Sequence, residues 1–176
     1  MLGLKPEERR AAVLGARYHD CGKIGFDLKL INGGRFTDAQ KREVQTHCIF
    51  GVYILNTGID SDILVAQAVG YHHENIDGSG YVDGLKDDEI PVAARILRIV
   101  DSFDCMRSEK LYAKQRTLED AFAELHACKG KQFDAQILDI FDYLLRNDGK
   151  IKEIAEKDWT KIFHPPVGVS QTGVLE

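Results

Sequence analysis

The sequence predicts an all-α protein, and three observations support this class. Apolar residues recur at steps of three and four along most of the chain, helix-start signals precede these stretches, and no useful length alternates apolar and polar residues as a half-buried strand would. Such a series of amphipathic helices favours a helical bundle. The 176 residues, 44% hydrophobic and 29% charged, are sufficient for one domain with one sizeable core.

Helix boundaries follow from start and stop signals. Pro6 is a favourable first-turn residue, Thr37 with Gln40 forms a capping-box signature, and Gly149 is a stop signal. Helices are predicted over residues 6–20, 37–56, 61–69, 91–105, 117–127 and 133–146, with a short one over 150–159. Residues 1–159 are therefore expected to form the single domain, and residues 160–176 an irregular tail.

Composition excludes several classes of protein. No run approaches the roughly 18 consecutive apolar residues of a membrane span, and the N-terminus lacks the order of a signal peptide, so a cytoplasmic location is expected. The four cysteines are widely spaced without a C-x-x-C pair, which predicts reduced thiols rather than a zinc knuckle or a redox pair. A net charge of −5 argues against binding to duplex nucleic acid.

Histidine and aspartate residues occupy helix ends and inward helix faces. His19–Asp20 and His72–His73 lie at predicted helix ends, His47 lies on an inward stripe, and Asp101 lies on another that also places Cys105 inward. Imidazole and carboxylate groups are preferred ligands of iron, manganese or zinc. Because adjacent helical residues splay by about 100°, a consecutive pair can address two ions.

Each residue also has a simpler interpretation. A single inward histidine is more often a hydrogen-bonded core residue than a ligand, and an inward aspartate such as Asp101 more often forms a salt bridge or a cap. Four of the six histidines fall at such positions, together with two aspartates. From periodicity alone, a metal centre and a set of ordinary core contacts are both open.

Five segments together resemble the HD-GYP family of HD-domain metal-dependent phosphohydrolases. They are His19-Asp-Cys-Gly-Lys23, Thr46-His47, His72-His-Glu-Asn-Ile-Asp-Gly-Ser-Gly-Tyr81, Ile90-Pro-Val-Ala-Ala-Arg95 and Val100-Asp-Ser-Phe-Asp104. The resemblance covers roughly residues 8–146 in the family's order. It implies an HD-domain helical bundle that hydrolyses cyclic di-GMP to the linear dinucleotide or to GMP.

The resemblance also implies a set of site residues. The metal ligands would be His19, Asp20, His47, His72, His73 and Asp101. They would hold two or three divalent ions, most often iron or manganese, with zinc, nickel or magnesium as further candidates. Asp20 would bridge two ions, a hydroxide between them would attack phosphorus, and Lys23 would contact the phosphate.

Substrate contacts are expected from two further segments. Gly80 and Tyr81 belong to a glycine-rich loop, and Lys110 and Lys114 lie where the family carries a basic substrate-binding segment. The alternatives are that the loop glycines only form tight turns and that the lysines belong to a solvated charged turn. A cyclic dinucleotide is the expected ligand, with a sensory domain, a signalling protein or a second copy of the chain as possible partners.

Three features depart from the family pattern. Val82 stands where the family carries proline, and Lys110 stands for an arginine, which weakens bidentate recognition. Family members also take a histidine, and often a glutamate, from a helix further upstream, whereas none of the eighteen residues before His19 is histidine. The chain is then a fragment, or its centre is incomplete, or another chain or His164 completes it. Two rival functions are open. The chain could be a degenerate module that binds a nucleotide or a protein partner without hydrolysis, or a phosphohydrolase that acts on other nucleotides or phosphate esters.

Overall fold

The computed structural model describes residues 2–27, 30, 36–59, 62–108 and 115–156, which are mostly helical. Within these ranges the α-helices are α1 (Pro6–Tyr18), α2 (Asp38–Gln45), α3 (His47–Ile54), α4 (Ile63–Gly70), α5 (Val92–Arg107), α6 (Leu118–Ala127), α7 (Ala135–Asn147) and α8 (Gly149–Glu156). Two 3-10 turns, Cys21–Gly25 and Asp87–Glu89, follow α1 and precede α5. The described residues contain no strand, and the predicted all-α class is confirmed.

An N-terminal core joins α1, α4 and α5. Its buried members are mostly small: Ala11, Leu55, Val65, Ala68, Val69, Ala93 and Leu97. Gly15 belongs to the same face of α1, and a Cβ on Gly15 would lie 2.8 Å from the Cβ of Ala68. The helix axes therefore approach closely, because no large side chain separates them.

A C-terminal core lies between α5, α6 and α7 and is built of larger side chains. Its buried members are Ile99, Phe103, Ala121, Phe122, Leu125, Phe133, Ile137, Leu138 and Leu145. Two of its helices begin with a side-chain cap, since Thr117 Oγ1 accepts from the Asp120 N–H at 3.1 Å and Asp134 Oδ1 from the Ile137 N–H at 3.0 Å. Helix α5 contributes to both cores and connects them.

The single helix predicted over residues 37–56 is wrong, because the chain forms α2 and α3 with a break at Thr46. The N–H of Thr46 bonds to the Glu43 carbonyl at 3.0 Å, and its hydroxyl donates to the same carbonyl at 2.6 Å. This local bonding tightens the last turn of α2. The capping box of Thr37 with Gln40 is confirmed, and a π-helical turn, Leu55–Ile59, follows α3.

Smaller differences concern boundaries and one cysteine. Helix α4 begins after Asp62, which caps it by accepting from the Leu64 N–H at 2.9 Å, and α7 begins after Phe133. Cys105 is exposed, so its predicted inward position is wrong. It lies one turn beyond Asp101, where that stripe of α5 has already left the core. The expected tail over residues 160–176 lies outside the described residues.

Candidate metal centre

Four segments bring the histidine and aspartate side chains to one place. His19–Asp20 follows α1, His47 is the first residue of α3, His72–His73 follows α4, and Asp101 lies in α5. Gly22 allows the first two segments to meet, because a Cβ on Gly22 would overlap the carbonyl oxygen of His47. The centre therefore depends on backbone contact between the turn after α1 and the start of α3.

Three of the imidazoles are oriented by the backbone of the preceding turn. In each, Nδ1 lies at hydrogen-bond distance from the carbonyl oxygen three residues earlier. The pairs are His19 with Ala16 (3.0 Å), His47 with Val44 (2.6 Å) and His72 with Val69 (2.6 Å). A carbonyl can only accept, so Nδ1 carries the proton, and Nε2 of a neutral ring keeps a lone pair for a metal.

Acceptor atoms face one another at the centre. Nε2 of His47 lies 3.3 Å from Nε2 of His72 and 3.4 Å from Oδ1 of Asp20. Oδ1 of Asp20 is buried and accepts no hydrogen bond from the part of the chain that the structure describes. Lone pairs that face each other repel, whereas a cation between them makes the same atoms ligands. The donor set therefore fits a divalent metal.

Asp20 lies between two sides of the centre. Its Oδ1 faces His47, while its Oδ2 lies 3.5 Å from Nε2 of His19 and 2.6 Å from Nζ of Lys23. Nε2 of His19 also lies 3.6 Å from Oδ1 of Asp101. A carboxylate with one oxygen on each side is suitably placed to bridge two ions.

The carboxylates create a negative potential on the His19 side. Burial alone would lower the pKa of His19, but its contacts with Asp101 and Asp20 raise that pKa to about 10. Burial alone would raise the pKa of Asp20, but His19 and Lys23 hold it well below its ordinary value. The site therefore stabilises positive charge, which is the electrostatic requirement for binding a cation.

The opposite side of the centre is drier. Burial lowers the pKa of His72 to about 4, and burial is also the main cause of the lowered pKa values of His47 and His73. The rings of His72 and His73 have centroids 4.1 Å apart, and that of His47 lies 5.2 Å from each. These imidazoles are neutral at pH 7, the form that binds a metal.

Cys48 is a further donor that lies against the histidines. Its thiol is fully buried, with Sγ 3.6 Å from Nε2 of His47 and 3.9 Å from Nδ1 of His72. Potential ligand atoms of His47, Cys48, His72 and His73 all lie within 4.8 Å of one another. Burial raises the pKa of the Cys48 thiol to about 12, so the thiol is neutral and packs as a small apolar group.

The loop after His73 folds back over the centre. Glu74 is 2% exposed, and its Oε1 accepts from the N–H groups of Asp83 at 2.7 Å and Gly84 at 2.9 Å. The N–H of Tyr81 donates to the His73 carbonyl at 3.3 Å, and the Tyr81 ring stacks on the His73 ring with centroids 4.8 Å apart. Tyr81 therefore covers one face of a candidate ligand.

Gly80 is required for this fold of the loop. A Cβ on Gly80 would lie 2.5 Å from Cα of Glu74 and 2.6 Å from the His73 carbonyl oxygen. Gly78 has a φ of +79°, which glycine adopts without strain. The contacts support the tight-turn interpretation of these glycines, and a substrate contact by Gly80 or Tyr81 stays a prediction.

The six predicted ligands thus lie together, and Lys23 adjoins them through Asp20. Their roles as ligands stay predictions, and Lys110, Lys114 and His164 lie outside the described residues. Two residues beside the centre escape prediction from the sequence, Glu74 and Arg98. The available signals are positional: Glu74 directly follows the paired histidines, and Arg98 precedes Asp101 by three residues on the same face of α5.

Comparison with known proteins places these observations in a family. A family model described as HD domain matches residues 2–137. The chain is 34% identical over 168 residues to the cyclic di-GMP phosphodiesterase response regulator RpfG of Xanthomonas campestris pv. campestris, covering 94% of this chain and 44% of that protein. It is 38% identical over 129 residues to a cyclic di-GMP phosphodiesterase of Thermotoga maritima, covering 72% of this chain and 35% of that protein.

Two Vibrio cholerae proteins extend the comparison to other cyclic dinucleotides. The chain is 32% identical over 142 residues to 3'3'-cGAMP-specific phosphodiesterase 2, covering 80% of this chain and 27% of that protein. The crystal structure of a cyclic GMP-AMP-specific phosphodiesterase matches with a TM-score of 0.67 at 20% identity, over 89% of this chain and 42% of that one. This likeness shows the fold, and the chain spans less than half the length of these relatives.

Proposed function

Because the chain belongs to the HD domain family, and within it to the HD-GYP group, we propose that it is a metal-dependent phosphodiesterase that hydrolyses cyclic di-GMP. One observation carries the proposal: Nε2 of His47 faces Nε2 of His72 at 3.3 Å and Oδ1 of Asp20 at 3.4 Å, and this Asp20 oxygen is buried without a hydrogen bond from the described residues. The lone pairs of these atoms repel one another unless a bound cation lies between them.

The metal ligands in this proposal are His19, Asp20, His47, His72, His73 and Asp101. Bound ions would supply Lewis acidity to the scissile phosphate and acidity to an attacking water. Asp20 would hold both sides of the centre together, and Lys23, which is 2.6 Å from its Oδ2, would turn toward a phosphate oxygen. The number of ions, two or three, and their identity, iron or manganese, belong to the proposal.

The chain's other residues would orient the substrate and keep water away from it. Tyr81 would offer an aromatic face beside His73, and Gly80 would hold the loop at that position. Lys110 and Lys114 keep their proposed substrate contacts, although they lie outside the described residues. The products would be the linear dinucleotide or GMP.

The test joins metal analysis to turnover. The protein, loaded anaerobically with Fe(II) or Mn(II), should bind metal and hydrolyse cyclic di-GMP, and Asp20→Ala should reduce turnover by about a hundredfold or more. Asp38→Ala is the matched control, because Asp38 is an exposed carboxylate in the first turn of α2. Absence of bound metal, or unchanged turnover in Asp20→Ala, would disprove the proposal.

The same experiment separates the rival functions. If the chain is a module without hydrolytic activity, both the wild type and Asp20→Ala would bind cyclic di-GMP, and neither protein would hydrolyse it. A substrate panel with 3'3'-cGAMP is warranted because relatives are specific for that compound. Hydrolysis of 3'3'-cGAMP in preference to cyclic di-GMP would retain the enzyme class and change its substrate.

The remaining expectations concern the setting of the protein. No helix in the described ranges combines the length and apolar character needed to cross a bilayer. A cytoplasmic location, a homodimer, and a sensory domain or signalling partner stay predictions. They would be examined with the full-length protein by fractionation and by light scattering.

A further inference from the structure

Arg98 is a half-buried arginine held rigidly beside the candidate metal centre. Its Nε donates to Oδ1 of Asn75 at 3.0 Å, and its Nη1 donates to Oγ of Ser102 at 3.1 Å. The amide of Asn75 is itself fixed, because its Nδ2 donates to Oγ of Ser79 at 3.0 Å. The guanidinium also lies over the ring of Phe133, 5.8 Å from its centroid. Its orientation is therefore set before any ligand binds.

The hydrogen-bond partners of Arg98 are neutral, which distinguishes it from Arg95 one turn earlier on α5. Arg95 pairs with carboxylates, at 2.8 Å from Asp134 and 3.3 Å from Asp88, and joins α5 to the start of α7. In the described part of the chain, Arg98 forms no ion pair within 4.0 Å, and its Nη2 donates no hydrogen bond. A fixed guanidinium with donors to spare has the geometry of an anion-binding group.

The position of Arg98 relates it to the centre. It precedes Asp101 by one turn of α5 and contacts Asn75, two residues after His73. After burial and His72, its charge is a further cause of the lowered pKa of His73, and the nearby Asp101 carboxylate opposes the lowering of the pKa of Arg98 by burial. Arg98 thus lies on the Tyr81 side of the metal ligands, along the loop that covers them.

We propose that Arg98 is a substrate-binding residue that holds the phosphodiester of a cyclic dinucleotide that is not at the metal ions. This inference rests on the proposed function and adds a second anchor to it. A cyclic dinucleotide carries two phosphodiesters, so when one is bound at the metal ions the other lies outside the set of metal ligands. The free N–H groups of Arg98 would donate to the oxygens of this second phosphate. They would supply guanidinium recognition that the lysine at position 110 cannot.

The test compares two kinds of substrate with Arg98→Met, which removes the charge and keeps much of the side-chain length. Cyclic di-GMP and cyclic di-AMP carry two phosphodiesters, whereas bis(p-nitrophenyl) phosphate carries one. The KM for both cyclic dinucleotides should rise by about tenfold or more, the scale of a charged hydrogen bond. The value of kcat/KM for bis(p-nitrophenyl) phosphate should change less than about twofold, because Arg98 is not a metal ligand in this proposal.

Two further variants control the comparison. Arg98→Lys keeps the charge, so its KM for the cyclic dinucleotides should lie between those of the wild type and Arg98→Met. Arg42→Met removes an exposed arginine of α2 and should change none of the kinetic values. Metal content and thermal unfolding are measured for each variant. A loss for cyclic di-GMP but not cyclic di-AMP would assign Arg98 to the guanine base, and an equal loss on bis(p-nitrophenyl) phosphate would assign it to the centre. Either result overturns the proposal.

Failure of the proposed function gives a different result. Wild-type protein loaded with metal would then hydrolyse neither kind of substrate. Calorimetric titration with cyclic di-GMP decides the inference in that case: binding by the wild type that is lost in Arg98→Met upholds it. Absence of binding to the wild type, or equal binding to both, overturns it.

Discussion

The two cores of the molecule are packed in opposite ways. The N-terminal core consists mainly of alanine and valine, and Gly15, Gly22 and Gly51 lie where an added Cβ would meet a neighbour at 2.8 Å or closer. The C-terminal core is filled by large side chains, among them Phe103 and Phe122. One core brings backbones together, and the other separates them with side chains.

The difference explains where the candidate site lies. Histidine and aspartate are short, so their ring and carboxylate atoms can meet from several segments only if the backbones approach closely. The fully buried polar side chains among the described residues, His47, His72 and Glu74, all lie in or beside the N-terminal core. We infer that the N-terminal half carries the site and depends on a cation, whereas the C-terminal half is stabilised mainly by the packing of large apolar side chains.

The largest expected effect is that of Gly22→Ala. The added methyl would overlap the His47 carbonyl and lie 2.6 Å from the Gly51 nitrogen, and backbone atoms cannot rotate away. The free energy of unfolding should fall by about 4 kcal/mol or more, with loss of bound metal. Urea unfolding and metal analysis measure both effects.

Gly25→Ala is the matched control for this prediction. Gly25 lies at the end of the same 3-10 turn, and a Cβ there would meet nothing within 4 Å. Its stability and metal content should equal those of the wild type. Wild-type stability in Gly22→Ala would contradict the close contact between the turn and α3.

A cavity in the C-terminal core should separate stability from chemistry. Leu138 is fully buried, and Leu138→Ala should lower the free energy of unfolding by about 3 kcal/mol, through lost apolar contact and the remaining cavity. Because Leu138 belongs to the C-terminal core, the folded fraction should keep its metal content and its turnover per bound metal. A proportional loss of metal would mean that the two cores are not independent.

The C-terminal half was also the easier half to predict from the sequence. Its helices follow ordinary periodicity and caps, as at Thr117, and α5, α6 and α7 lie within two residues of their predicted bounds. The break between α2 and α3 at Thr46, by contrast, has no sequence signal, because the apolar stripe continues on both sides of it and no proline or glycine is present there. Helix α2 ends where the N–H and the hydroxyl of Thr46 both donate to the Glu43 carbonyl, and a threonine within an apolar pattern does not by itself mark such a break.

The candidate site was predicted by motif rather than by pattern. Periodicity placed His47 inward but also placed Cys105 inward, which is wrong, because a helical stripe does not reveal where the core ends. The roles of Glu74 and Arg98 depend on contacts with Asp83, Gly84 and Asn75. These contacts span 9, 10 and 23 residues, and no local rule describes them.

Glu74→Ala should have an intermediate effect, confined to the N-terminal half. It leaves the N–H groups of Asp83 and Gly84 without their acceptor, and the free energy of unfolding should fall by about 2 kcal/mol. Amide hydrogen exchange at these two residues should accelerate more than in the C-terminal core. Glu43→Ala, an exposed substitution on α2, is the control and should leave exchange unchanged.

The smallest expected effect is a gain, from Val82→Pro. Val82 is 37% exposed, and its N–H donates to none of the described residues, so proline would remove no bond and would restrict the unfolded chain. The free energy of unfolding should rise by about 0.5 kcal/mol, as measured by urea unfolding. Asp83→Pro, one residue later, should instead destabilise the protein, because the Asp83 N–H donates to Glu74 at 2.7 Å. Opposite signs at neighbouring positions would show that Glu74, rather than the residue at position 82, holds the loop over His73; equal signs would assign that role to the turn itself.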